Sequence, residues 1–95
     1  MKEFKEVQYT YTPNFKSTNN CDYEVKLVYD LGQLYYVDIT NLSADDYEFM
    51  WLNVAQDTFS RSKTEVGKIR REIPEDLQAY ARKMAQKYIK LNNFM

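Results

Sequence analysis

Between residues 4 and 12 apolar and polar side chains alternate, with Val7, Tyr9 and Tyr11 set against Glu6, Gln8 and Thr10. That two-residue period, in residues that favour extended backbone, predicts a half-buried strand. Over 13–22 the alternation stops and Pro13, Asn14, Ser17, Asn19 and Asn20 gather. A loop is expected there, with Phe15 alone in it. Tyr23, Val25, Leu27 and Tyr29 then define one face of a second strand, and Tyr35, Val37 and Ile39 one face of a third.

The register of this hairpin follows from which residues must share a face. A two-residue loop would pair Val25 with Asp38 and carry polar residues onto the apolar side. A three-residue loop, Leu31 to Gln33, pairs Tyr29 with Tyr35, Leu27 with Val37 and Val25 with Ile39. The same register sets Lys26 opposite Asp38 on the other side of the sheet, an opposite-charge pair contributing about 0.2 to 1 kcal/mol. The expected inner face is therefore Val7, Tyr9, Tyr11, Tyr23, Val25, Leu27, Tyr29, Tyr35, Val37 and Ile39.

At 41–46 the period changes. Ser43 followed by Asp45 and Asp46 has the form of a helix start, a hydroxyl cap with carboxylates near the positive end of the dipole. At helical spacing Tyr47, Met50, Trp51, Leu52, Val54, Ala55 and Phe59 fill a broad apolar arc. Phe49 falls outside that arc. A break is expected between Ser60 and Gly67, after which Val66, Ile69 and Ile73 keep helical spacing. Pro74, Glu75 and Asp76 open a last helix, whose stripe is Leu77, Tyr80, Ala81, Met84, Tyr88 and Leu91.

The order of elements predicts an α+β fold: an N-terminal three-stranded antiparallel sheet covered on one face by two or three C-terminal helices, βββαα. At 95 residues the chain is expected to form a single α+β domain over 1–95, with the sheet in 1–41 and the helices in 43–95.

Composition narrows the chemistry. The chain has no His, which removes the side chain most used for acid–base work at neutral pH, and a single cysteine, Cys21, which can neither close an intrachain disulfide nor build a thiolate zinc site. Cys21 lies between Asn20 and Asp22 without a neighbouring cation, and reads as an incidental thiol. Asp45 and Asp46 are accounted for by the helix start, so no metal site is assigned. Two Gly in the whole chain leave no phosphate-cradling loop. No cofactor and no catalytic residue is expected. The N-terminus lacks an apolar signal core and no stretch is long and apolar enough to span a bilayer, so a cytoplasmic protein without membrane contact is expected.

Charge is polarised along the chain. Residues 1–57 carry four Lys against ten acids, a net of -6, and residues 58–95 carry nine basic against four acidic, a net of +5. Two surfaces follow. On the outer side of the sheet Val28 faces Tyr36, with Leu34 close by, inside a frame of Glu6, Glu24, Asp30 and Asp38 with Lys26 as the counter-charge. An apolar, aromatic centre with a charged rim is the composition of a protein-binding hot spot, and the acids suit a basic protein partner. Asp45 and Glu48, at the start of the first helix, extend that surface. A second copy of the chain is the other occupant weighed for it. The basic half offers the alternative, a nucleic-acid-binding surface of Arg61, Lys63, Lys68, Arg70, Arg71, Lys83, Lys87 and Lys90. Against it stands a sequence pI of about 5.4, where a nucleic-acid-binding domain usually exceeds about 9. The sequence is best read as a non-enzymatic protein-binding module, an inhibitor or adaptor of the kind that phages and mobile elements encode.

Overall fold

A computed structural model describes residues 7–43, 48–61 and 73–92. The elements are β1 (Val7–Tyr11), β2 (Phe15–Lys16), β3 (Asp22–Asp30), β4 (Gln33–Asn41), β5 (Glu48–Asn53), β6 (Thr58–Arg61) and α1 (Glu75–Asn92). The strands form one antiparallel sheet in the order β1-β3-β4-β5-β6, with β2 also paired to β3. This overturns the expected three-stranded sheet under two or three helices. The sheet has six strands, it continues well past residue 41, and among the described residues there is one helix.

The correction turns on residues 48–61. Phe49 and Trp51 alternate with Met50 and Leu52, and both phases are apolar, so the run also fills a wide helical arc. Periodicity alone does not separate a two-sided strand from a buried helix. Pairing decides it: β5 lies between β4 and β6 with both edges bonded. Met50 and Leu52 are buried in the core while Phe49 turns to the opposite face and is 48% exposed. The turn to β6 is closed by the Asp57 N–H on the Asn53 carbonyl at 2.7 Å and the Gln56 N–H on Asn53 Oδ1 at 3.1 Å. Asp57 sits at φ +56°, a left-handed conformation that Asp tolerates better than most residues. Ser43 is no helix cap. Its N–H goes to Asn41 Oδ1 at 2.8 Å and its hydroxyl accepts the Asp22 N–H at 3.0 Å, which ties the end of β4 to the start of β3. Asp45 lies outside the described residues, as do the expected break before Gly67 and the apolar positions Val66 and Ile69.

The β3–β4 register is the expected one from Val25↔Ile39 through Lys26↔Asp38 and Leu27↔Val37 to Val28↔Tyr36. It then shifts, so that Tyr29 meets Leu34 and Asp30 meets Gln33. The loop therefore has two residues, Leu31 and Gly32, both at positive φ (+56° and +79°), the type I′ geometry that matches the twist of the strands. Tyr35 is the extra residue. A one-residue bulge lets a two-residue turn coexist with the register that the core requires. Two face assignments change as a result: Leu34, expected outside, is 6% exposed, and Tyr35, expected inside, is 44% exposed.

A second bulge explains the other inversion. β1 pairs so that Tyr9 faces Val28 and Tyr11 faces Lys26, whereas two residues beyond Pro13 the register has slipped by one and Phe15 faces Tyr23. Residues directly opposite in an antiparallel pair share a face. Val7, Tyr9 and Tyr11 thus lie on the outer side, not the inner, at 46%, 56% and 61% exposure, while Phe15 points to the core side and stacks on Tyr80 of α1 at 4.6 Å between ring centroids. Pro13 has no N–H to give to a ladder and sits where the edge strand breaks.

The inner face is Tyr23, Val25, Leu27 and Tyr29 of β3, Leu34, Val37 and Ile39 of β4, and Met50 and Leu52 of β5, closed by Leu77, Ala81, Met84 and Ala85 of α1. The helix forms where its apolar stripe predicts, opening with the Gln78 N–H on the Pro74 carbonyl at 3.0 Å. Its first turn is also tied to the β2–β3 loop. Asp76 accepts the Ser17 hydroxyl at 2.8 Å and the Thr18 N–H at 2.9 Å through its two carboxylate oxygens.

Candidate functional site

With α1 on one side of the sheet, the other side carries no described element. Across the strands its residues fall in rows set by the register. One row runs Tyr9, Val28, Tyr36, Asn53, Thr58; the next runs Tyr11, Lys26, Asp38, Trp51, Ser60; a third holds Glu24, Thr40 and Phe49. Tyr9, Tyr11, Tyr36 and Phe49 are exposed, and Val28 and Trp51 are half-buried. The face is broader and more aromatic than Val28 and Tyr36 alone.

Its centre is the Lys26–Asp38 pair. The Lys26 ammonium lies 4.4 Å from the centroid of the Tyr9 ring and 5.9 Å from that of Tyr11, a cation–π arrangement contributing about 0.5 to 1 kcal/mol at an exposed site. Lys26 and Asp38 face each other in the register, yet the ion pair found among the described residues is a different one, Arg82 with Asp57 at 2.8 Å. Burial pushes the Asp38 carboxyl above its ordinary value, and the Lys26 charge opposes that shift without cancelling it. Asp38 is thus a partly desolvated carboxylate on the strand between Lys26 and Trp51 in the register. Asp30, at the corner of the face beside Val7, has one carboxylate oxygen, Oδ1, shut off from solvent with no hydrogen-bond partner among the described residues.

The structure brings together Glu24, Val28, Asp30, Tyr36 and Asp38 of the expected site and separates the rest. Leu34 belongs to the core. Glu48 is on β5 rather than a helix, opposite Asn41, whose side-chain amide donates to Glu48 Oε1 at 2.9 Å; both lie on the inner phase at the end of the sheet. Sequence reasoning placed Lys26 on this side opposite Asp38, as found, and missed Tyr9, Tyr11, Phe49 and Trp51. One signal could have found the two tyrosines: Pro13 in the middle of an edge, which demands a break in register; Phe49 and Trp51 lie in a run that is apolar in both phases and carries no such signal.

The basic residues are dispersed. Arg61 lies on β6 opposite Met50, in the inner phase. Lys83 and Lys87 are exposed on α1, the Lys87 ammonium 5.6 Å from the Tyr88 ring centroid. Lys63, Lys68, Arg70 and Arg71 lie outside the described residues, and Lys90 is in α1 with its side chain outside them. Arg82 serves the fold, pairing with Asp57 and covering the Phe59 ring at 4.9 Å. A cleft of about 460 Å³ at one end of the sheet is lined, among the described residues, by side chains that include Leu31, Gln33, Leu34, Tyr35, Val54 and Ile89 and by no charged side chain. Among the described residues no three His, Cys, Asp or Glu side chains converge as a metal ion would require, and no helix is long and apolar enough to cross a membrane. No family model, curated protein or solved structure matches the chain.

Proposed function

We propose that this chain is a protein-binding module, an inhibitor or adaptor, that docks the helix-free face of its sheet on a basic surface of a protein partner. The observation that carries this reading is the aromatic field of Tyr9, Tyr11, Tyr36 and Trp51 around Asp38 and Lys26, on the side of the sheet that the core does not use. Exposed rings on a strand platform supply contact area that can be desolvated at low entropic cost, and aromatic residues dominate the energetics of protein interfaces. Glu24, Asp30 and Asp38 give the surface its acidic sign and would steer a cationic partner into register. Lys26 already holds an ammonium over two of the rings, and an arginine from a partner would use the same chemistry. The reading involves no bond-making step and no cofactor.

Trp51 is the sole tryptophan of the chain and lies on this face, so its emission reports occupancy. Titration with an extended arginine-rich peptide is expected to shift that emission, and an equivalent glutamate peptide to leave it unchanged. Tyr36→Ala should weaken the arginine response at least tenfold while the variant stays folded, and Lys83→Ala with Lys87→Ala, on the opposite side, should not. An unchanged emission, or equal responses to both peptides, would overturn the proposal. Fluorescence anisotropy with random DNA at about 50 and 200 mM salt addresses the nucleic-acid reading, because phosphate contacts weaken steeply with salt. Binding that collapses at the higher salt and is lost in the Lys83/Lys87 variant would replace the sheet face with the basic one.

A further inference from the structure

We infer that β1 is an intermolecular edge: it pairs antiparallel with β1 of a second copy, about a two-fold axis at Tyr9, and joins two sheets into one. This uses the edge of the sheet rather than its face and stands apart from the proposed function.

The backbone phase of β1 can be read from its end. The Thr12 N–H reaches the Val25 carbonyl at 3.0 Å. Antiparallel ladders alternate between residues bonded to the neighbour and residues facing away from it. Thr10 and Gln8 share the phase of Thr12 and bond inward to β3, opposite Leu27 and Tyr29. The N–H and C=O groups of Val7, Tyr9 and Tyr11 consequently point out of the sheet. All five residues of β1 are exposed.

Natural sheets protect such edges with charges, proline or bulges. The segment Val7-Gln8-Tyr9-Thr10-Tyr11 has none of these within it: it is uncharged, made largely of residues that favour strands, and regular over its length. The opposite edge strand, β6, carries Arg61. What selects a second copy rather than another strand is the symmetry of the segment. A two-fold axis at Tyr9 pairs Tyr9 with Tyr9, Gln8 with Thr10, and Val7 with Tyr11, so apolar meets apolar on one face and polar meets polar on the other. Every outward N–H on one copy then meets an outward C=O on the other. Because the segment is neutral, bringing it against itself creates no like-charge contact. The aromatic rows of the two outer faces become continuous across the axis.

Sedimentation equilibrium over micromolar to millimolar concentrations tests this, with amide hydrogen exchange read residue by residue. A concentration-dependent dimer is expected, with the Val7, Tyr9 and Tyr11 amides protected in the dimer and unprotected in the monomer. Tyr9→Pro removes an outward N–H without touching the β3 ladder and should sediment as a folded monomer. Should Tyr9→Pro fail to fold, Tyr9→Lys serves instead: two ammonium groups meeting at the axis should abolish the dimer at low salt. Tyr36→Ala should remain dimeric. A wild-type chain that stays monomeric throughout, or a dimer unaffected by Tyr9→Lys, overturns the inference. So does a dimer lost in Trp51→Ala but kept in Tyr9→Lys, since that would place the contact on the face.

Discussion

Replacing Asp76 with Ala removes the carboxylate that accepts both the Ser17 hydroxyl and the Thr18 N–H. These two bonds fasten the first turn of α1 to the loop between β2 and β3. A hydrogen bond to a charged group contributes about 1.5 to 3 kcal/mol, but Asp76 is only half-buried and solvent screens it, which brings the pair to about 1 to 2 kcal/mol. Loss of a carboxylate from the first helical turn adds about 0.3 to 1 kcal/mol. The expected destabilisation is therefore about 2 kcal/mol, or roughly 10 °C in melting temperature for a domain of this size. Burial of Asp76 opposes its charge, yet the bonds from Thr18 and Ser17 outweigh it and hold the carboxyl below its ordinary value. A carboxylate depressed in the folded state stabilises above the pKa it has when unfolded, and that contribution disappears as pH falls through the folded value. The gap between wild type and Asp76→Ala, read by urea denaturation, should be full at pH 7 and shrink below about pH 4. Ser17→Ala and the double variant complete a cycle in which the two substitutions should be less than additive. Additive losses, or a gap independent of pH, would show that Asp76 does not bridge helix and loop.

Three further outcomes follow from the bulges and the outer face. Leu34→Ala should cost about 2 to 4 kcal/mol in chemical denaturation, as a buried Leu does, and Tyr36→Ala less than about 1 kcal/mol; equal losses would mean that the β3–β4 register does not shift after Val28. Leu31→Asn should stabilise by about 1 kcal/mol, since Leu is strained at φ +56° and Asn-Gly is the preferred type I′ pair, whereas a loss of stability would argue against that turn. Asp38→Asn should stabilise at pH 7. A carboxyl raised by burial favours folding below the ordinary carboxylate pKa and disfavours it as pH rises through the folded value, so the gain should vanish below about pH 4. Circular dichroism melts at both pH values check it.

The helix at the C-terminus was legible because one apolar stripe continues through several turns with Pro74 at its start, and no strand pattern competes with it. The inner residues of β3 and β4 were legible because only one register keeps Val25, Leu27, Val37 and Ile39 on one side. What escaped beside the bulges has two causes. Leu34 and Tyr35 were placed by extending the period of two through a bulge, and a single inserted residue reverses every face beyond it; Tyr9 and Tyr11 were placed inside because theirs is the apolar phase of β1. Bulges leave little trace in composition; here Pro13 and the short Leu31-Gly32 turn were the traces. Trp51 and Phe49 escaped for another reason. A strand that serves a core on one side and an aromatic outer face on the other is apolar in both phases, and its hydrophobic pattern cannot be told from that of a helix.

The break at Thr12 and Pro13 acts as a phase-shifter between two halves of one edge. Residues after it, with Phe15 against Tyr80, answer to the core, while residues before it answer only to solvent and whatever meets the outer face. Sliding β1 by one residue, so that the register of β2 ran on unbroken, would set Tyr11 opposite Leu27 and Tyr9 opposite Tyr29, turning Val7, Tyr9 and Tyr11 to the helix side and Gln8 and Thr10 to the outside. Substitutions at the tyrosines leave the buried layer untouched, so the outer surface of β1 can change its chemistry without renegotiating the fold. The position of one inserted residue thus separates what the chain must keep in order to fold from what it is free to vary at its surface.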